Sequence, residues 1–136
     1  MTCYSLKVSV ASTTLRAGHP LDVRVVLKNV SSKEVQVGQR SLIFDYRYDL
    51  TSNGAVVAMT RFGEQGQAAA RTGTASAALR VLAPGAELVT EIPLARVFDL
   101  STAGKYRLVV ARDLPMPPDG AWSEVRSDPL EFELSD

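Results

Sequence analysis

Apolar and polar residues alternate along most of this chain with a period of two, the mark of strands with one buried face. Leu6, Val8 and Val10 oppose Lys7, Ser9 and Ala11. That predicts a first strand over residues 5–15, with a bend at Ser12-Thr13-Thr14 where the chain can change sheets. Leu21, Val23, Val25 and Leu27 alternate with Asp22, Arg24, Val26 and Lys28. The turn Ala17-Gly18-His19-Pro20 precedes this strand, Asn29-Val30-Ser31-Ser32-Lys33 closes it, and a short strand is expected over 35–37. Within 41–51, Leu42, Phe44, Tyr46, Tyr48 and Leu50 share one face. Opposite them run Asp45, Arg47 and Asp49, an acidic-basic-acidic row suited to cross-strand pairs. Ser52-Asn53-Gly54 marks a hairpin, because Asn-Gly takes positive φ at low cost, with 55–61 as the returning strand.

Residues 62–75 break the pattern. Gly63, Gly66, Gly73 and Gln67-Ala68-Ala69-Ala70-Arg71 carry no strand period and only a weak helical one, so a long connecting loop is expected. Strand character resumes over 76–82, turns at Pro84-Gly85, and continues with Leu88, Thr90, Ile92 and Leu94. Pro93 lacks an N–H, which puts this strand at an edge or ends it there. Val97, Phe98 and Leu100 predict one helical turn plugging the end of a core. Tyr106, Leu108 and Val110 then open a long central strand, 114–120 reads as loop, and the last strand (121–127 and 130–134) is broken at Asp128-Pro129. The expected class is all-β: an antiparallel β-sandwich of seven to nine strands, forming a single domain over 1–136.

Composition narrows the function classes. A chain of 136 residues buries roughly 70 % of the surface its unfolded form exposes, enough for a core without disulfides or a structural metal. Lys plus Arg and Asp plus Glu both number 15, with no basic run, which argues against a nucleic-acid partner. No apolar run reaches the ~20 residues of a spanning helix. Cys3 is the one cysteine, read as a frayed thiol rather than a lipid-anchor site. No signal segment is evident, so the expectation is a cytoplasmic chain, or an exported one whose leader was removed.

Three stretches carry a family resemblance: Gly18-His19-Pro20-Leu21-Asp22-Val23 with Leu27-Lys28-Asn29-Val30-Ser31; Leu82-Ala83-Pro84-Gly85; and Phe98-Asp99-Leu100-Ser101 with Gly104-Lys105-Tyr106. Together they resemble a class of bacterial immunoglobulin-like domains. Similar modules are the β-domain ahead of deuterolysin-type metallopeptidases and the BsuPI-type proteinase inhibitors. Tyr106, two residues past Gly104, resembles the tyrosine corner of such sandwiches, whose phenol bonds upstream backbone. The resemblance implies an immunoglobulin-like sandwich and carries almost no information on activity.

The chemistry-bearing residues are sparse. His19 is the one histidine, sits in a turn before Pro20, and has no nucleophile turn to serve, so no catalytic residue is assigned. One His and one Cys cannot build a zinc site, and Asp45, Asp49, Asp99, Asp113, Asp119 and Asp128 match no calcium loop, so no metal or cofactor is expected. Gly63-x-x-Gly66 lacks the Lys-Ser/Thr ending of a phosphate loop. Two candidate binding surfaces remain: Arg61, Phe62, Glu64 and Arg71, and the cluster of Met116, Pro117, Pro118 and Trp122. For Trp122 a core or rim position is the expectation. The leading reading is a non-catalytic module that binds an unidentified protein through loops or a sheet edge. The alternatives are a proteinase inhibitor, or a carbohydrate-binding module if Trp122, Tyr46 and Tyr48 line up exposed.

Overall fold

A computed structural model describes residues 3–12, 15–39, 44–72, 78–116 and 120–136. Thr13, Thr14, Leu42, Gly73, Pro117, Pro118 and Asp119, named above, lie outside these. Among the described residues the chain forms β1 (Tyr4–Val10), β2 (Asp22–Asn29), β3 (Val35–Gln39), β4 (Arg47–Ser52), β5 (Ala55–Val56), α1 (Arg61–Thr72), β6 (Ala78–Leu82), β7 (Glu87–Pro93), α2 (Leu94–Val97), β8 (Gly104–Met116), β9 (Ala121–Arg126) and β10 (Leu130–Leu134). The strands make antiparallel sheets: β1-β2-β7, β10-β8-β4-β5 with β9 also on β8, and the ribbon β3-β6.

The period of two decides what is buried. Val23, Val25 and Leu27 of β2 are shut away completely, in register with Leu88, Thr90 and Ile92 of β7 on one side and Leu6 and Val8 of β1 on the other. From β8, Tyr106, Leu108, Val110 and Leu114 enter the same apolar cluster, as do Tyr46 and Leu50 beside β8 and Phe132 and Leu134 from β10. Each such side chain contributes about 1.5–3 kcal/mol of burial. β8 is the centre: β4 pairs along one edge, while β9 and β10 lie in line along the other. This is the broken last strand expected at Asp128-Pro129.

The corner between β7 and β8 closes the core as the sequence predicts. β7 ends at Pro93, and Leu94, Val97, Phe98 and Leu100 are all buried. The Tyr106 hydroxyl donates to the Thr102 carbonyl at 2.5 Å, and its ring stacks on Phe132 at 5.5 Å. Beyond β1 the chain does change partners: Arg16 bridges Ser135 in parallel, next to β10.

Several expectations need correction. The interval 62–75 is a helix through Thr72 rather than a loop. Thr60 caps it, its Oγ1 accepting from the Gly63 N–H at 3.1 Å and donating to the Arg96 carbonyl, and Glu64 lies in the first turn where a negative charge suits the helix dipole. The returning strand after Asn53-Gly54 is only Ala55–Val56, although Asn53 and Gly54 do take positive φ. Residues 44–46 form a turn before β4, and Leu114–Met116 belong to β8. The described residues hold ten strands, above the seven to nine expected, because β5 is minimal and the last strand is in two pieces. Cys3 is not frayed; it is 8 % exposed and packs in the core cluster.

Candidate functional site

Consider first the helix that replaces the predicted loop. Gly63 and Gly66 lie one turn apart and face inward: a Cβ on Gly63 would run into the Val97 carbonyl, and one on Gly66 into the Phe44 ring. Phe62 lies 5.7 Å from the Phe44 ring, and the Arg96 guanidinium sits 4.7 Å over its face. Gln67 Nε2 donates to the Tyr46 carbonyl at 3.4 Å, just ahead of β4. α1 therefore packs on α2 and on the turn that leads into β4. Arg61 and Glu64 are exposed, and Phe62 remains 37 % exposed. Arg71 lies near the helix end, its side chain outside the described residues.

The second predicted surface is on β9. Trp122 is 70 % exposed, not a core or rim residue, whereas Met116 is half-buried against the core. Trp122 stands opposite Pro115, and that pairing fixes the direction of the main chain. Pro115 has no N–H, so this pair exchanges no ladder bonds, and the bonded pairs are its neighbours Leu114–Ser123 and Met116–Ala121. Ser127, which donates to the Val110 carbonyl at 2.8 Å, continues the same alternation. The N–H and C=O groups of Trp122, Glu124 and Arg126 accordingly point away from β8. Among the described residues no strand pairs with that side of β9.

Charges line the same face. Asp113 of β8 and Glu124 of β9 stand directly opposite each other, an arrangement unfavourable by itself. Arg47 relieves it, reaching Glu124 at 2.8 Å and Asp113 at 3.3 Å, and Arg126 adds a contact to Glu124 at 3.1 Å. The bonds from Arg126 and Arg47 hold the Glu124 carboxyl below its ordinary pKa. All four side chains are substantially solvated, so the cluster orders the face more than it stabilises the fold. Arg47 thus makes the cross-strand pairing expected of the Asp45-Arg47-Asp49 row, but with β8 and β9 acids.

A hollow of about 550 Å³ gathers His19, Asp22, Arg96, Asp99 and Ser101. Ser101 Oγ donates to Asp99 at 2.6 Å, and this bond, with one from the Ser101 N–H, holds the Asp99 carboxyl below its ordinary pKa. The hydroxyl proton is thus directed to a carboxylate rather than to the imidazole, which is not the order of a Ser-His-Asp relay. Among the described residues no group of three His, Cys, Asp or Glu is placed to hold a metal ion. No described helix is long and apolar enough to cross a membrane.

Sequence reasoning missed one buried charge. Arg112 is 8 % exposed, with Nη2 donating to the Gly38 carbonyl at 2.9 Å and the guanidinium 5.1 Å over the Tyr46 ring. Among the described residues its Nε and Nη1, and the Tyr46 hydroxyl, make no hydrogen bond of ordinary geometry. The signal was available: Arg112 shares the inward parity of Tyr106, Leu108, Val110 and Leu114.

A scan against protein-family models gives no match to this chain, and a search of curated proteins gives none either.

Proposed function

We propose that this chain is an immunoglobulin-like sandwich acting as a non-catalytic protein-binding module, and that it binds through the open edge of β9 with Trp122 as anchor. Three features support the fold reading. The strand orders β1-β2-β7 and β10-β8-β4 are those of two facing immunoglobulin sheets, the Tyr106–Thr102 bond has the form of a tyrosine corner, and the chain after β1 crosses to run parallel beside β10. The binding reading rests on one observation, the exposure of Trp122 beside a strand edge with which no strand pairs among the described residues. A solvated tryptophan is costly in water and is among the residues most enriched at binding hot spots. An unpaired strand edge is the surface that strand addition uses.

The two alternative readings lack such support. For a proteinase inhibitor, the long loop expected at 62–75 would have been available to enter an active site, but it is helical through Thr72 and packed on Phe44 and Val97. The aromatic platform needed for sugars is missing, since Tyr46 is 2 % exposed and Tyr48 lies edge-on to Phe98 at 6.4 Å.

The test compares Trp122→Ala with Phe62→Ala in capture of a partner after photo-crosslinking. Loss of capture in the first variant alone, at unchanged melting temperature, is the expected result. Capture lost only in Phe62→Ala would move the site to α1 and overturn this reading.

A further inference from the structure

The edges of the large sheet are not treated alike. On the β4 side, Gln67 of α1 bonds the Tyr46 carbonyl and the Val57 N–H donates to the Leu50 carbonyl at 3.0 Å. On the β10 side, Arg16 bridges Ser135, the Ala17 N–H donates to the Ser135 carbonyl at 2.8 Å, and the Ser135 N–H to the Leu15 carbonyl at 3.1 Å. β9 has no such cover among the described residues, and no proline or inward-pointing charge within its six residues. Natural edges are protected by such devices. An edge without them, carrying an exposed tryptophan, is suited to pairing.

We propose that the strand β9 pairs with is β9 of a second copy of this chain, antiparallel across a two-fold axis at Glu124. This rests on β9 being the binding edge. The β9 edge is self-complementary. Along the exposed face of the edge the side chains run aromatic, acidic, basic: Trp122, Glu124, Arg126. Turned about a two-fold axis, the same edge reads basic, acidic, aromatic. Each Trp122 then faces Arg126 of the other copy, a guanidinium–aromatic pair formed twice by symmetry. The two Glu124 carboxylates meet at the axis, each already neutralised within its own copy by Arg47 and Arg126. The backbone parity matches as well: Trp122, Glu124 and Arg126 all present outward N–H and C=O groups, so every facing pair is a bonded one. The result is one sheet continuous through both copies. A strand this short makes a small interface, and so a reversible, concentration-dependent dimer.

Sedimentation velocity from micromolar to millimolar concentration tests this, on the wild type and three variants. Glu124→Pro removes one outward N–H without touching a bond to β8, Glu124→Ala removes the carboxylate but keeps that N–H, and Arg126→Glu sets an acid against Trp122. The expectation is a dimerising wild type, an Ala variant close to it, and association at least ~10-fold weaker in the Pro and Glu variants. Circular dichroism confirms folding of each; Arg126→Glu, a surface change, keeps the test decisive if Glu124→Pro unfolds. A wild type monomeric throughout, or a folded Glu124→Pro that dimerises as the wild type does, overturns the proposal. If the chain is monomeric but crosslinks another protein in a Trp122-dependent way, self-pairing is wrong and the β9 binding reading stands. If it neither dimerises nor crosslinks, both are wrong.

Discussion

The side-chain amide of Asn29 donates to the Leu82 carbonyl at 2.9 Å, joining the end of β2 to the end of β6 across 53 positions of sequence. Asn29 Nδ2 also donates to the Lys33 carbonyl at 2.7 Å, and Oδ1 accepts from the Ser31 N–H and hydroxyl. Its main chain accepts from Gly85 at 2.7 Å and donates to Ala86 at 3.0 Å. One fully buried residue thus ties the turn after β2 to the turn after β6. Replacing it with Ala strands the buried Leu82 carbonyl, worth roughly 1–3 kcal/mol when unsatisfied, whereas the Lys33 carbonyl keeps the Ser31 hydroxyl as a donor. Urea denaturation of Asn29→Ala is expected to show a loss of ~1–3 kcal/mol. A loss under ~0.5 kcal/mol would mean that water replaces the amide at no cost.

Gly63→Ala sets two effects against each other. Alanine is worth about 1 kcal/mol more than glycine in a helix interior. Here, however, its Cβ would meet the Val97 carbonyl, part of a backbone that cannot rotate away. Overpacking of this kind costs about 1–3 kcal/mol, so a net destabilisation is expected by thermal melting. At Gly66 the obstacle is the Phe44 ring, a side chain rather than backbone, and Gly66→Ala should cost less. Stabilisation by Gly63→Ala would show that α1 does not pack against Val97.

Alkaline pH should weaken the fold. Burial raises the pKa of Tyr4, Tyr46, Tyr48 and Tyr106 above the ordinary 10.0, most strongly at Tyr48. The folded state then holds these phenolic protons more tightly than the unfolded chain. Their stabilising contribution is full below the unfolded value near pH 10 and is lost as pH rises above it. Urea midpoints should be flat to pH ~9 and fall above pH ~10, with a shallower fall in Tyr48→Phe. A flat profile to pH ~11.5 would contradict burial of these rings.

Arg112 is a buried cation with one hydrogen-bonded nitrogen among the described residues, so its charge costs more desolvation than its contacts return. Arg112→Met keeps the length and apolar stem while removing the charge. The outcome expected is unchanged or higher stability, by up to a few kcal/mol, with Arg112→Ala lower because it leaves a cavity. A large loss in Arg112→Met would show that the Gly38 bond and the Tyr46 ring outweigh desolvation.

The strands were legible in the sequence because alternation and burial are the same fact seen twice: Val23, Val25 and Leu27 read inward and are inward. Two glycines singled out in the sequence take part in the same ordering. Gly18 donates to the Leu100 carbonyl at 2.9 Å and Gly85 to Asn29, so the motif residues are the ones that tie turns to one another. Helix α1 was not legible because its glycines look like breakers when only local preference is weighed. They are required by the close approach of Val97 and Phe44, which are distant in sequence. Thr60, an N-cap ahead of an Ala-rich run, was the local signal that could have revealed it. Trp122 was expected at the core or rim because large aromatics usually are buried; only the register with Pro115 places it on the outer face.

The account depends most on the β9 edge being open and used, and amide hydrogen exchange resolved by NMR reads that directly. In dilute protein the amides of Trp122, Glu124 and Arg126 should exchange fast while those of Ser123 and Val125, bonded to β8, are protected. Raising the concentration, or adding the partner, should slow the first three and leave the other two as they were. Protection of Trp122, Glu124 and Arg126 already at high dilution, or no change in them under any loading, would contradict it.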